Sequence, residues 1–182
     1  METESTADSS ELFDGGRGLR TPPLLIALSV LAAAVISLFE ATIQQVVALA
    51  VLMPIVASMG GNAGTQTLTV AVRALAMKDL TEANTRRFVG KEILIGVANG
   101  VLFAALAGLV AWLWFGWSGL GLVIAAAMVV NMIVAGFSGT LIPIGLDRLG
   151  VDPAIASSVF VTTVTDVVGF FAFLGLAAAF LR

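Results

Sequence analysis

The chain has 182 residues, of which 59% are hydrophobic and 12% charged, with a mean hydropathy of +1.04 and a formal net charge of −3. That balance is the composition of a polytopic membrane protein. The absence of cysteine and histidine excludes disulfides, thiolate or imidazole metal sites, Cys/His nucleophilic catalysis and an imidazole proton relay, leaving only oxygen to ligate a metal.

The negative charge is local, because Glu2, Glu4, Asp8, Glu11 and Asp14 all lie near the amino terminus. Beyond them the chain is slightly basic. Residues 1–20 are rich in Ser, Thr, Gly and acids and carry no apolar run of the signal-peptide kind, so they read as a disordered, acidic cytosolic tail.

From residue 21 to 182 the pattern predicts an all-α integral membrane domain with five transmembrane helices, near 23–43, 46–77, 88–115, 120–146 and 153–181. Each is long enough to cross a hydrocarbon core of about 30 Å at about 1.5 Å per residue. Pro22-Pro23 opens the first, and Glu40, Gln44 and Gln45 close it. Glu40 reads either as an outer-mouth group that attracts cations or as a solvated loop acid. The second helix contains Met59-Gly60-Gly61-Asn62-Ala63-Gly64-Thr65-Gln66. Three glycines beside two amides predict a break there, and broken backbone at membrane depth survives only inside protein or along a watery cavity. The run therefore suggests a pathway.

On the third helix Gly96, Gly100, Ala104 and Gly108 recur at four-residue spacing, as do Ala127, Asn131, Ala135 and Gly139 on the fourth. Both stripes predict close helix packing, with Asn99 and Asn131 as interhelical hydrogen-bond donors. Trp112, Trp114 and Trp117 form an interfacial aromatic cluster between these two helices. The fifth opens at Asp152-Pro153, where Asp152 reads as an N-cap. About 20 Å further along its axis comes Asp166, read as the one acid at mid-membrane depth. An Asp there costs about 2.5–3.5 kcal/mol to insert, which makes it a functional candidate in need of a partner. Arg73 belongs near the cytoplasmic surface, so a cation is the better partner. Ser158, Thr162 and Asp166 share one helical face with Thr165 and Gly169 beside it. The alternative is an interhelical hydrogen-bonding stripe around a protonated Asp166.

Arg17, Arg20, Arg73, Lys78, Arg86, Arg87, Lys91 and Arg148 fall on one side of these spans and only Arg182 on the other. Cations accumulate on the cytoplasmic side, which predicts a multi-pass protein of the cell membrane with its amino terminus inside and its carboxyl terminus outside. No phosphate-binding loop, HExxH, GxSxG or dinucleotide fingerprint is present, so neither an enzyme nor an ATP-driven pump is expected. An intramembrane aspartyl protease would need a second acid from a two-fold partner. No organic cofactor and no nucleic-acid partner are expected.

The string Pro54-Ile-Val-Ala-Ser-Met-Gly-Gly-Asn-Ala-Gly-Thr-Gln66, then Val72-Arg73-Ala74-Leu75-Ala76, Asp152-Pro153-Ala154 and Thr162-Thr163-Val164-Thr165-Asp166-Val167-Val168-Gly169 resembles the membrane domain of the MgtE family of magnesium transporters, in family order from about Pro23 onward. The resemblance implies a channel-like Mg²⁺ transporter, a homodimer in the lipid bilayer with its pore on the two-fold axis between the second and fifth helices. It implies that Asp166 is the pore aspartate, that the Thr162 backbone carbonyl accepts hydrogen bonds from the waters of Mg²⁺, and that Asp152 belongs to a regulatory Mg²⁺ site. Gly60, Gly61, Asn62 and Gly64 then lie along the pore near its constriction, with Thr165 and Gly169 beside Asp166. Family members carry cytosolic sensor domains ahead of the membrane domain, whereas about twenty residues precede the first span here. Met1 and the low complexity of the tail favour a short form, working alone or as a pore or scaffold subunit with a separate regulatory or paralogous chain. Independently of the family, Mg²⁺ dehydrates reluctantly and is usually held through one or two carboxylates, which suits a wide pore with a symmetric Asp pair.

Overall fold

A computed structural model describes residues 21–80 and 82–181. The acidic tail, and with it Arg17 and Arg20, lies outside the described residues, as does Arg182. Among the described residues six helices follow in order: α1 Thr21–Ser37, α2 Glu40–Gln45, α3 Ala48–Ala76, α4 Glu82–Phe115, α5 Ser118–Arg148 and α6 Pro153–Phe180. Four of them, α3 to α6, are long and apolar enough to cross a membrane, and α1 is a shorter apolar helix.

The expected first span is thus divided. Phe39, with φ −112° and ψ 17°, leaves helical geometry between α1 and α2. Its ring meets Phe171 of α6 edge-on at 5.7 Å between centroids, so an aromatic contact joins this corner to α6.

The second span, in contrast, is whole. The predicted break at the glycine run does not occur: α3 is continuous from Ala48 to Ala76. The backbone keeps its i→i−4 ladder, and the hydroxyl of Thr65 donates to Gly61 O at 2.8 Å while that of Thr69 donates to Thr65 O at 2.8 Å. The glycines serve a different need, the close approach of neighbouring helices.

The helix ends are written partly in the sequence. Asp152 caps α6, its carboxylate accepting from Ala154 N at 2.9 Å, with Pro153 in the first turn, as the N-cap reading predicts. α5 stops in a Schellman turn, with Gly150 N to Asp147 O and Val151 N to Leu146 O both at 3.0 Å and Gly150 at φ +72°. α3 ends the same way with Lys78 at φ +57°, a left-handed conformation that costs a non-glycine residue about 1–2 kcal/mol.

α5 is the central helix, packed by α4 on one flank and by α3 and α6 on the other. α4 and α5 run antiparallel with their backbones nearly touching: a Cβ on Gly96 would stand 2.8 Å from Met132 O, and one on Gly108 would stand 2.9 Å from Gly121 O. The α4 small-residue stripe is therefore a packing surface, as expected. On the other face of α5, a Cβ on Gly139 would stand 2.6 Å from Gly64 O of α3. The core is graded along the bundle. Large side chains such as Leu52, Ile124, Met128 and Phe173 fill the end nearest the α4–α5 turn, while toward the other end the small or polar Gly64, Gly139, Thr140 and Ser157 are buried beside Leu68, Val161 and Ile144.

Candidate functional site

α6 carries the site. Ser158, Thr162 and Asp166, one turn apart, line an open groove of about 290 Å³ against Leu28 and Ser29 of α1. Thr162 and Asp166 also line a second open groove, about 310 Å³, whose far wall is Ser58, Gly61, Asn62 and Thr65 of α3. Asp166 is half-buried and sits on the ridge between the two. Among the described residues, none forms a hydrogen bond or ion pair with its carboxylate. Arg73 is exposed near the end of α3 and is not its partner.

The α3 wall extends the polarity. Ser58, Asn62, Thr65 and Thr69 are all exposed and, at spacings of four and three, occupy one face of a helix long enough to span a membrane. Asn62 Nδ2 reaches Ser58 Oγ only at 3.5 Å, so the Asn62 amide retains unmet hydrogen-bonding capacity. A face of this kind beside a carboxylate is unsuited to lipid.

The structure separates the residues that the sequence placed together on a pathway. Gly61 and Asn62 face the groove with Asp166 and Thr162. Gly60, Gly64, Thr165 and Gly169 do not; they are buried inside the protomer. Gly60 and Gly169 flank the side chain of Asn131, which a Cβ on either glycine would strike. Asn131 is fully buried and donates from Nδ2 to Val56 O at 2.8 Å, the interhelical bond expected of it, while its Oδ1 has no partner among the described residues. Asn99 is exposed and makes no such bond there. A Cβ on Gly64 would stand 2.6 Å from the Val161 side chain. Thr165 turns its hydroxyl back onto its own helix, at 3.1 Å from Val161 O and 2.9 Å from Thr162 O. The Thr162 carbonyl thus accepts from the Thr165 hydroxyl, while Thr162 itself is exposed and lines both grooves.

Glu40 opens α2 and accepts from Gln44 Nε2 at 3.1 Å. The Phe39–Phe171 contact places it beyond Asp166, toward the carboxyl-terminal end of α6. Asp152 is engaged as the cap of α6. Sequence reasoning passes over Glu92, which adjoins Lys91 at the basic flank of α4. Its exposure is only 7%, and the signal that finds it is its four-residue spacing from Gly96 and Gly100, on the face that packs against α5.

The model of the MgtE family, described as a divalent cation transporter, matches residues 53–176. The chain belongs to the MgtE family. The magnesium transporter MgtE of Bacillus subtilis is 37% identical over 159 residues, covering 87% of this chain and 35% of that protein. Its namesakes in Enterococcus faecalis and Thermus thermophilus are 38% and 35% identical over 158 and 160 residues, with the same coverage. The chain thus spans about a third of the length of these MgtE relatives. The family match runs from the start of α3 almost to the end of α6 and includes the glycine run, Glu92, Asn131 and Asp166. This is a family of transporters, not of enzymes.

Proposed function

We propose that the Asp166 groove is one wall of a pore for hydrated Mg²⁺, completed across a two-fold axis by a second copy of this chain. The observation that carries the reading is the Asp166 carboxylate, far along a transmembrane helix and without a partner in its own protomer, facing the exposed polar stripe of α3. A single protomer leaves that stripe to lipid, whereas a facing copy encloses it. The relatives' names as magnesium transporters and the chemistry of the donors agree. Two carboxylates and neutral oxygens hold a hard cation through its waters without stripping them.

The driving force needs no nucleotide. A divalent cation moving inward through the membrane potential gains about 4.6 kcal/mol per 100 mV. Entry at the Glu40 end and exit past Ser158 would carry the ion along α6 toward the basic end of the bundle, the predicted cytoplasmic side.

The test is Mg²⁺ flux into liposomes containing the purified chain, with an imposed inside-negative potential. Wild-type protein should conduct faster as the potential grows. Asp166→Asn should insert and dimerise normally yet lose about a hundredfold or more in initial rate, equivalent to about 2.7 kcal/mol of barrier. Wild-type rates in Asp166→Asn would remove the carboxylate from the pathway. A silent wild-type dimer that conducts once a second membrane chain is added would favour the subunit reading.

A further inference from the structure

Glu92 stands apart from the groove at Asp166, and nothing in the pore reading uses it. It is 7% exposed, yet it lines a groove of about 220 Å³ between α3 and α4, together with Gln66, Thr67 and Asn99. Its carboxylate oxygens are not among the sealed, unpaired atoms of the bundle, so they keep some exposure, and this groove is the opening that the residue lines. Among the described residues, none forms a hydrogen bond or ion pair with them. The backbone cannot retreat, because α4 is pressed onto α5 here: a Cβ on Gly136 would stand 3.1 Å from Glu92 O.

A buried carboxylate held at a polar groove calls for a counter-charge. We propose that Glu92 and this groove form a second cation site, on another face of α3 from Asp166, that takes a divalent cation with most of its waters. At about 30 Å³ per water the groove has room for about seven, which accommodates a hydrated ion. One carboxylate supplies the charge, and the side-chain oxygens of Gln66, Thr67 and Asn99 accept from the ion's waters, the arrangement Mg²⁺ tolerates best. The ion joins α3 to α4, two helices that otherwise meet sparsely, so its occupancy stiffens the wall behind the glycine run.

The site is independent of conduction and is tested by binding. Mn²⁺ serves as the probe, followed by its paramagnetic resonance signal on purified protein in which Asp166→Asn has removed the groove carboxylate. That protein should still bind Mn²⁺ and show a raised unfolding midpoint in its presence. Adding Glu92→Gln should weaken binding at least tenfold and abolish the midpoint shift, and excess Mg²⁺ should displace Mn²⁺ from the Asp166→Asn protein. Unchanged binding after Glu92→Gln, or no binding at millimolar Mn²⁺ before it, overturns the proposal. If Glu92→Gln does not yield a monodisperse protein, Asn99→Leu replaces it, since Asn99 is exposed and makes no hydrogen bond among the described residues. An unweakened Mn²⁺ affinity in that variant is equally fatal.

Discussion

Asn131 illustrates how one polar side chain organises three helices. It projects from α5 between Gly60 of α3 and Gly169 of α6 and donates to Val56 O at 2.8 Å. Within a membrane such a bond contributes about 0.6–1.7 kcal/mol, and the two glycines are what make room for it. Gly60→Ala should therefore destabilise the protein by about 1–3 kcal/mol through overpacking, and Asn131→Ala through the lost bond and the space left behind. In the double variant the new methyl group enters the vacated space, so the combined loss should fall short of the sum by about 0.5 kcal/mol or more. Denaturant titration of the four proteins in mixed micelles gives the comparison, and strict additivity would count against the contact. The residue types were legible here: a small-residue stripe with an asparagine in it announces interhelical packing. The partners were not, because four-residue spacing fixes a face on one helix and says nothing of how the next helix is rotated.

At the level of elements, the glycines divide by what stands opposite them. Gly108 of α4 faces the backbone of α5, where a Cβ would meet Gly121 O at 2.9 Å and Ala125 Cβ at 3.1 Å, whereas a Cβ on Gly90 would meet nothing within 4 Å. The two should respond oppositely to alanine. Gly108→Ala should destabilise by about 1–3 kcal/mol, since two backbones must separate. Gly90→Ala should be neutral or stabilise by up to about 1 kcal/mol through helix propensity alone. Thermal unfolding of the two variants in detergent tests both signs. The same distinction explains why the glycine run of α3 misleads as a sequence. Three glycines among amides carry the composition of a broken helix, yet Gly60 and Gly64 each face a side chain from α5 or α6. Close approach and helix breaking draw on the same residue, and only the neighbours tell them apart. The Lys78 cap was similarly invisible, because a lysine in left-handed conformation carries no sequence mark.

Across the whole molecule, chemistry is polarised along the bundle. Exposed Lys78, Arg86, Arg87, Lys91 and Arg148 gather at the end formed by the carboxyl termini of α3 and α5 and the start of α4, while Trp112, Trp114 and Trp117 are exposed at the opposite end. The membrane class, the Asp166 face and this polarity were legible because composition and helical period act within single segments. The division of grooves between Asp166 and Glu92 was not, since it depends on which helices leave gaps between them. The direction of the pore rests on the polarity: if the basic end is cytoplasmic, an inside-negative potential draws cations past Asp166 toward Ser158. A chain without cysteine permits a clean assay with single introduced thiols. Ser118→Cys, on the exposed first residue of α5, should react with a membrane-impermeant maleimide in intact cells. Asp79→Cys, exposed in the α3–α4 connection, should react only after the membrane is opened. Both variants should retain wild-type flux, which confirms that the labelled protein is the conducting one. The reverse labelling pattern would invert the bundle, and the potential would then pull cations from Ser158 toward Glu40, making the groove at Ser158 an entrance instead of an exit.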